Sequence, residues 1–305
     1  EVGPTLAHTA RQAPYVPVVE LLDELRAWAR RHERSDGKET PLLDILDHVT
    51  LGGSGEPTLH DGMADIIAGA REILPGVPVA VLTNASLLPD PEVRRRLCLA
   101  DVVLPSLDSL VPEEFARLNR PCPELLLPDA AACLARIAEA MLQFRREFNG
   151  KLYLEVLLCE GVNDSAENLT RLRDYYRELH PDRVDVVTLS RPGAWPEARP
   201  VPAATLAAWR EELGVGSVSP DSPAEGHGPP AARRNDAADI PAALLASLSR
   251  RPQSAAQLAE ALAIAAEDVH NALETLREHG HIHVEEIGGT RFFRTAKPRQ
   301  AEHDQ

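Results

Sequence analysis

The sequence predicts an α/β fold with a parallel β-sheet, followed by a smaller unit of helices and a hairpin. Through the first two-thirds of the 305 residues, short apolar runs alternate with segments of helical hydrophobic spacing. Alternating strands and helices build a parallel sheet with right-handed crossover connections. After residue 214 the composition changes to Pro, Gly and Ser, which is typical of a linker.

Five apolar runs have the length of strands buried on both faces, and each is followed by residues with helical spacing. In chain order they are "HVTLGG", "VPVAVLT" (77–83), "DVVLPSL" (101–107), "KLYLEVLL" (151–158) and "RVDVVTL" (183–189). This order fits either an open doubly wound sheet or a barrel or partial barrel. Both architectures place function at the carboxyl ends of the strands.

The helical segments are recognised by apolar residues three and four positions apart. The first is "VVELLDELRAWARRH" and the second "MADIIAGAREIL", followed by the short "EVRRRLCLA". A longer helical region contains Leu134, Ile137, Met141 and Phe148. The last two are "NLTRLRDYYREL", with Asp164 and Glu167 as a capping pair, and "AATLAAWREEL".

The chain is predicted to contain two domains. Residues 1–214 form the α/β domain and 215–237 the linker. Residues 238–297 read as three helices and a hairpin with Gly288–Gly289 at its tip, a pattern typical of a winged helix-turn-helix domain. Residues 298–305 are expected to be a disordered tail.

Composition restricts the class of protein. The formal net charge is −15, which argues against a general nucleic-acid-binding surface because phosphate contacts need clustered Lys and Arg. No apolar run approaches the ~20 residues of a membrane span, and the start shows no signal-peptide pattern. We therefore expect a cytoplasmic protein without a membrane partner.

Polar or Gly-rich residues follow all five predicted strands. In chain order these segments are "GGSGEPTLH", "TNASLL", "PSLDSL", "CEGVND" and "SRPGAW". A turn that is only structural would need one Gly or Asn. The concentration of such residues at one edge of a sheet therefore indicates a ligand site.

In this order, the segments resemble the radical S-adenosylmethionine (radical SAM) superfamily. The resemblance is to its iron–sulfur oxidoreductases related to the wyosine-forming tRNA enzymes. It is carried by "GSGEPTLH" (53–60), "AVLTNASLL" (80–88), "ADVVLPSLD" (100–108), "LEVLLCEGVNDS" (154–165) and "RP" (191–192). It covers most of residues 10 to 215 and implies a partial parallel (β/α)6-type barrel that lacks its first strand.

The resemblance implies an enzyme that in full-length form reductively cleaves SAM. An electron from a [4Fe–4S] cluster would release a 5′-deoxyadenosyl radical that modifies an unknown substrate, either a nucleic acid or a protein. A flavodoxin or ferredoxin would be the electron donor. One alternative is a non-enzymatic, small-molecule-sensing barrel with a DNA-binding winged helix. Another is an acid–base hydrolase that uses Glu56 and Asp108.

The chain lacks the cluster cysteines that this resemblance requires. The superfamily holds its cluster with Cys-x-x-x-Cys-x-x-Cys, because cluster iron needs thiolate ligands. Cys98, Cys122, Cys133 and Cys159 do not have that spacing, and the chain begins at Glu1 without Met. We therefore expect an N-terminally truncated chain, inactive by itself, with the cysteines shortly before its start. The alternative is a natural paralogue that has lost the cluster.

The resemblance also assigns residues to the SAM site. The backbone of Gly53, Ser54, Gly55 and Glu56 would meet the amino group of the SAM methionine, since glycine allows the main chain to approach a ligand. The other cofactor-binding residues that it implies are Thr83, Asn84, Ser106, Asp108, Val162 and Asn163. Turn or helix capping is the alternative role for Asn84 and Asp108, and a strand-to-helix turn with Glu56 near a helix start is the alternative for the Gly-rich segment.

A substrate or cofactor pocket is expected from Glu155, Thr188 and Arg191. Glu155 alternates with apolar neighbours inside a strand, so its carboxylate needs a polar cavity or a partner. Arg191 would bind a carboxylate or phosphate, because its guanidinium matches these groups bidentately. Its alternative role is a surface ion pair. No residue is assigned a catalytic role.

Overall fold

A computed structural model describes residues 9–33, 46–53, 55–189, 195, 197–214, 240–249, 252–262, 264–287 and 289–296. The chain divides into two compact units. The first comprises Glu1–Thr188 and Ala198–Val218, and the second comprises Leu189–Glu197 and Ser219–Gln305. The predicted linker and tail lie outside the described residues.

The first unit contains a five-stranded sheet in the order β1-β2-β3-β4-β5, and all four pairings are parallel. The strands are β1 (Val49–Leu51), β2 (Val79–Thr83), β3 (Val102–Pro105), β4 (Lys151–Leu158) and β5 (Arg183–Thr188). The five predicted strands and their parallel order are confirmed. Closure into a partial barrel stays a prediction.

Seven helices accompany the described part of this sheet. They are α1 (Val18–Glu33), α2 (Met63–Ile73), α3 (Pro91–Leu97), α4 (Pro112–Asn119), α5 (Ala130–Glu147), α6 (Ala166–Leu179) and α7 (Ala203–Leu213). A short 3-10 helix spans Pro57–Leu59. Helix α4 was not predicted, and the cap of α6 was predicted one residue early, at Asp164. Ser165, not Asp164, caps α6 by accepting a hydrogen bond from Asn168 N.

The two faces of the sheet differ in burial. Side chains alternate between faces along a strand, and residues paired across parallel strands point the same way. On the core face, Val49 and Leu51 of β1 are half-buried, whereas these residues of β2 to β5 are at most 2% exposed: Val79, Val81, Val103, Leu152, Leu154, Val156, Leu158, Val184 and Val186. The open face is buried at Ala80 and Val102, where β2 and β3 begin, and it is half-buried or exposed at Leu82, Leu104, Ser106, Tyr153, Glu155, Leu157, Arg183, Asp185 and Val187.

Two aspartates stabilise the amino edge of the sheet through the same type of hydrogen bond. Asp101, just before β3, accepts a hydrogen bond from Val79 N at 2.8 Å, and Asp182, just before β5, accepts one from Leu152 N at 2.9 Å. Burial would raise the pKa of each carboxyl, but these bonds and the neighbouring cations lower it below its ordinary value. Each carboxylate therefore holds the start of the adjacent strand.

The second unit contains α8 (Ile240–Leu248), α9 (Ala255–Leu262) and α10 (Ala266–Glu278). It also contains an antiparallel sheet with the strand order β6-β8-β7. The strands are β6 (Gln253–Ser254), β7 (Ile282–Ile287) and β8 (Thr290–Thr295). Its core is apolar and includes Leu244, Leu258, Val269, Leu273, Ile282 and Phe293. Three helices and a hairpin are present as expected. Their classification as a winged helix-turn-helix stays a prediction.

Across the described residues, no helix combines the length and the apolar character that crossing a bilayer requires.

Candidate functional site

Glu56 joins two strand ends at the carboxyl edge of the sheet. Its Oε1 accepts hydrogen bonds from Thr58 N at 3.0 Å, Thr58 Oγ1 at 2.6 Å and Thr83 Oγ1 at 2.7 Å. Its Oε2 accepts a hydrogen bond from Asn84 N at 2.6 Å. Burial raises the pKa of Glu56, and these four hydrogen bonds oppose that rise. The carboxylate therefore ties the segment after β1 to the end of β2.

Gly53 and Gly55 expose bare backbone beside this clamp. Both glycines are exposed, and a Cβ added at either one would meet no atom within 4 Å. Packing within the protein therefore does not demand glycine here. A side chain would instead occupy open space next to the main chain, which is the arrangement expected where backbone approaches a ligand. Ser54 lies outside the described residues.

Three oxygen-bearing side chains form a row across the open face. Ser106 pairs with Glu155, and Glu155 pairs with Asp185, all in parallel register. The structure thus places Glu155 on the half-buried face that its alternation required. Asp185 was missed in the sequence analysis, although it alternates with valines in β5 in the same way.

Arg183 and Tyr153 lie next to this row. Both Nε and Nη2 of Arg183 contact Oδ2 of Asp185, at 2.8 and 2.7 Å. The same guanidinium lies 4.1 Å from the centre of the Tyr153 ring, a cation–π contact. Asp185 is therefore held in one orientation on the open face.

Asp108 and Asn163 hold backbone together at the ends of β3 and β4. Asp108 Oδ1 accepts a hydrogen bond from Leu157 N at 2.8 Å. Asn163 donates to the carbonyl oxygens of Asp108 and Leu157 and accepts from Cys159 N. Val162 is buried beside it. These contacts shape the loop itself, and the predicted cofactor contacts of these residues stay predictions.

The structure does not bring all predicted residues together. Thr188 pairs with Leu158, so it lies on the core-face side of β5, opposite to Glu155. Its hydroxyl donates to Leu158 O and accepts from Val201 N. Asn84 accepts a hydrogen bond from Ser86 N, the turn-capping role that was its alternative. Arg191 lies outside the described residues.

The cysteines present do not fit an iron–sulfur cluster. Cys122, Cys133 and Cys159 are buried and Cys98 is partly exposed, and all four are free thiols. Burial raises the pKa of Cys159 to about 12, so it remains a thiol at neutral pH. Within the described ranges, no group of three His, Cys, Asp or Glu side chains is arranged to hold a metal ion.

No family model matches the chain. It is 32% identical over 254 residues to a UPF0026 protein of Helicobacter pylori strain J99, covering 83% of this chain and 76% of the relative. It is 41% identical over 88 residues to a GTP 3′,8-cyclase of Rhodococcus opacus, covering 26% of this chain and 24% of that protein. A crystal structure of a radical SAM methyltransferase from Sphaerobacter thermophilus aligns with a TM-score of 0.48 at 19% identity, over 65% of this chain and 55% of that one.

The fold and the site together define an α/β protein with a candidate ligand site at the carboxyl edge of a parallel sheet. Within that class, the alignment with the Helicobacter protein covers most of both chains. The chain belongs to the UPF0026 family.

Proposed function

We propose that this chain is the SAM-binding α/β part of a radical SAM enzyme. Membership of the UPF0026 family, which is related to the radical SAM proteins, supports the proposal. One structural observation carries it. The exposed backbone of Gly53 and Gly55 lies beside the Glu56 clamp, at the edge of the sheet where ligands of α/β proteins bind. The residues present therefore suit a ligand that is bound by main chain as well as by side chains.

The Glu56 clamp has a positioning role in this proposal. Its carboxylate already accepts four hydrogen bonds from within the protein. The ammonium group of SAM would instead bind backbone carbonyl oxygens of the Gly53–Gly55 segment, which are hydrogen-bond acceptors. Glu56 keeps that segment at a fixed distance from Thr83 and Asn84, and preorganised groups bind with less loss of entropy.

When bound, SAM would supply the carbon–sulfur bond whose reductive cleavage starts radical chemistry. The Ser106–Glu155–Asp185 row and the apolar side chains of the open face belong to the same sheet. The cysteines of this chain do not form a cluster site, so we assign no reaction step to a cluster here. A hydrolase that uses Glu56 and Asp108 is disfavoured, because both carboxylates bind backbone amides.

We further propose that the second unit is a winged helix-turn-helix that docks on protein. The exposed residues of α10 include Glu267, Asp268 and Glu278. The arginines of the hairpin are paired with acids: Arg294 lies 2.6 Å from Glu285. A helix with this charge is a poor match for DNA phosphates. This disfavours the alternative of a DNA-binding regulator.

The test uses the protein produced from the complete gene, reconstituted anaerobically with iron and sulfide. It is incubated with SAM and dithionite, and 5′-deoxyadenosine is measured by chromatography. The proposal expects 5′-deoxyadenosine to form, and a Gly55→Val variant to form much less. Absence of 5′-deoxyadenosine from a protein that carries its full complement of iron and sulfide would rule the function out.

A further inference from the structure

The open face carries hydrogen-bonding groups that the protein itself does not use. Among the described residues, Ser106 Oγ, Tyr153 Oη and Asp185 Oδ1 have no protein partner, since both contacts to Asp185 go to Oδ2. All three side chains are only half-buried. Polar groups in such a position are normally satisfied by protein or by ordered water, or they await a ligand.

These groups converge on one small area. Ser106 and Asp185 lie on either side of Glu155, in strands about 4.8 Å apart, and Tyr153 precedes Glu155 by two residues on the same face. The area is thus about 10 Å across, the width of three neighbouring strands. It accommodates one small organic group, such as a sugar or an amino-acid side chain.

Apolar side chains surround this area on the same face. Leu104 and Leu157 are half-buried, and Leu82 is 39% exposed although it lies inside a parallel strand. Parallel sheets are normally covered on both faces. An apolar surface with a few convergent polar groups is the usual composition of a small-molecule site.

The charged side chains of the open face restrict the chemical groups that can bind there. Carboxylates only accept hydrogen bonds, so a group bound at Asp185 must donate them. Arg183 directs Nε and Nη2 at Asp185, and its guanidinium lies over Tyr153, so its positive charge is balanced by a carboxylate of the same face. A phosphate or carboxylate at this point would lie beside Asp185 Oδ1, which can only accept hydrogen bonds.

We propose that Ser106, Tyr153 and Asp185 bind the substrate, and that the substrate presents here a hydrogen-bond-donating group without negative charge, an ammonium or a hydroxyl. This inference deepens the proposed function, because it describes the substrate side of the same sheet. It rests on the open face alone. Its test therefore requires neither SAM nor a cluster, and it can fail while the proposed function stands.

The test compares three probes of one shape: benzylamine, benzyl alcohol and benzoate. Each is titrated into the methyl-labelled chain, and NMR shifts of the Leu104, Leu157 and Val187 methyl groups are followed. Val93 and Leu97, buried in the core, serve as references. We expect saturable shifts at the three open-face residues with benzylamine, benzyl alcohol or both, and none with benzoate. Binding of benzylamine indicates recognition of an ammonium group, and binding of benzyl alcohol indicates recognition of a hydroxyl group.

Variants assign the binding to the named groups. Asp185→Asn should weaken benzylamine binding about tenfold, the loss expected for a hydrogen bond to a charged group. Tyr153→Phe removes only a hydroxyl, and it should weaken benzyl alcohol binding severalfold. Asp174→Asn is the matched control, because Asp174 is a surface residue of α6 paired with Arg177. It should bind as the unmodified chain does.

Three results would overturn the inference: benzoate binding as tightly as benzylamine, Asp185→Asn binding benzylamine unchanged, or none of the probes shifting the open-face methyl groups. The methyl spectrum of each variant also reports whether it is folded. A misfolded Asp185→Asn is replaced by Asp185→Ser, which makes the same prediction.

Discussion

At Glu56, a single carboxylate accepts hydrogen bonds from Thr58, two residues away in the chain, and from Thr83 and Asn84, which are 27 and 28 residues away. At Asp185, by contrast, only one carboxylate oxygen is bound, by Arg183, and the other has no protein partner among the described residues. The same chemical group thus serves structure at one position and offers binding capacity at the other. The difference lies in the number of donors around each carboxylate.

Replacing Glu56 by Gln should destabilise the first unit. Only one end of the amide can accept, so either Asn84 N, or Thr58 N together with the two threonine hydroxyls, loses its acceptor. We expect the free energy of unfolding to fall by about 1–3 kcal/mol, measured by urea denaturation at pH 7. Glu72→Gln, at an exposed position of α2, is the control and should change stability little. Equal stability of the two variants would show that the clamp contributes nothing.

A size series at Gly55 separates folding from ligand binding. Gly55→Ala and Gly55→Val add atoms to open space, so the melting temperature should change little. SAM affinity should fall in the order Gly, Ala, Val, with Val at least about tenfold weaker by calorimetry, a loss of about 1.4 kcal/mol. A large drop in melting temperature, or unchanged affinity in both variants, would contradict the account.

At the scale of elements, the amino edge depends on the aspartates that precede β3 and β5. The pKa of Asp182 is lowered in the folded protein, so its contribution is present above the unfolded pKa and is lost as the pH falls through the folded pKa. Asp182→Asn should therefore lower the free energy of unfolding by about 1 kcal/mol at pH 7. The difference should shrink towards zero below pH ~3.

Urea unfolding at several pH values measures this difference. Asp174→Asn is again the control, since its ion pair lies on the surface, where such pairs contribute little. A loss of stability at Asp182 that is as large in acid as at pH 7 would mean that the charge of the carboxylate is not responsible.

The elements show which features a sequence specifies. Continuous apolar runs predicted all five strands, because strands of a parallel sheet are covered on both faces. The short helix α4 was missed, since only Phe115 and Leu118 are buried and Pro112 at its start reads as a break. The cap of α6 was misplaced because Asp164 and Ser165 are adjacent residues that both favour caps.

The candidate site was less predictable than the fold. Glycines at the end of β1 indicated a ligand, and alternation placed Glu155 on a polar face. The same alternation in β5 would have identified Asp185. The Glu56 clamp was not predictable, because its partners Thr83 and Asn84 come close only when the two strands pair. Local patterns specify faces of elements, whereas contacts between loops depend on the folded register.

At the scale of the whole molecule, charge restricts the partners of the second unit. The chain carries a formal net charge of −15, and the exposed face of α10 is acidic. We expect no measurable binding of the chain to a labelled duplex DNA near physiological salt, in a fluorescence anisotropy titration. Tight binding that weakens steeply with added salt would instead favour the DNA-binding regulator, because that dependence reports phosphate contacts.

The most direct test of the central claim locates SAM on the protein. Hydrogen–deuterium exchange of backbone amides is measured with and without SAM, on the same reconstituted protein as in the 5′-deoxyadenosine assay. The account predicts slower exchange in peptides that cover residues 50–60 and 82–90, which contain the Gly53–Gly55 backbone and the end of β2. Unchanged exchange in both peptides at saturating SAM, or protection confined to the second unit, would contradict it.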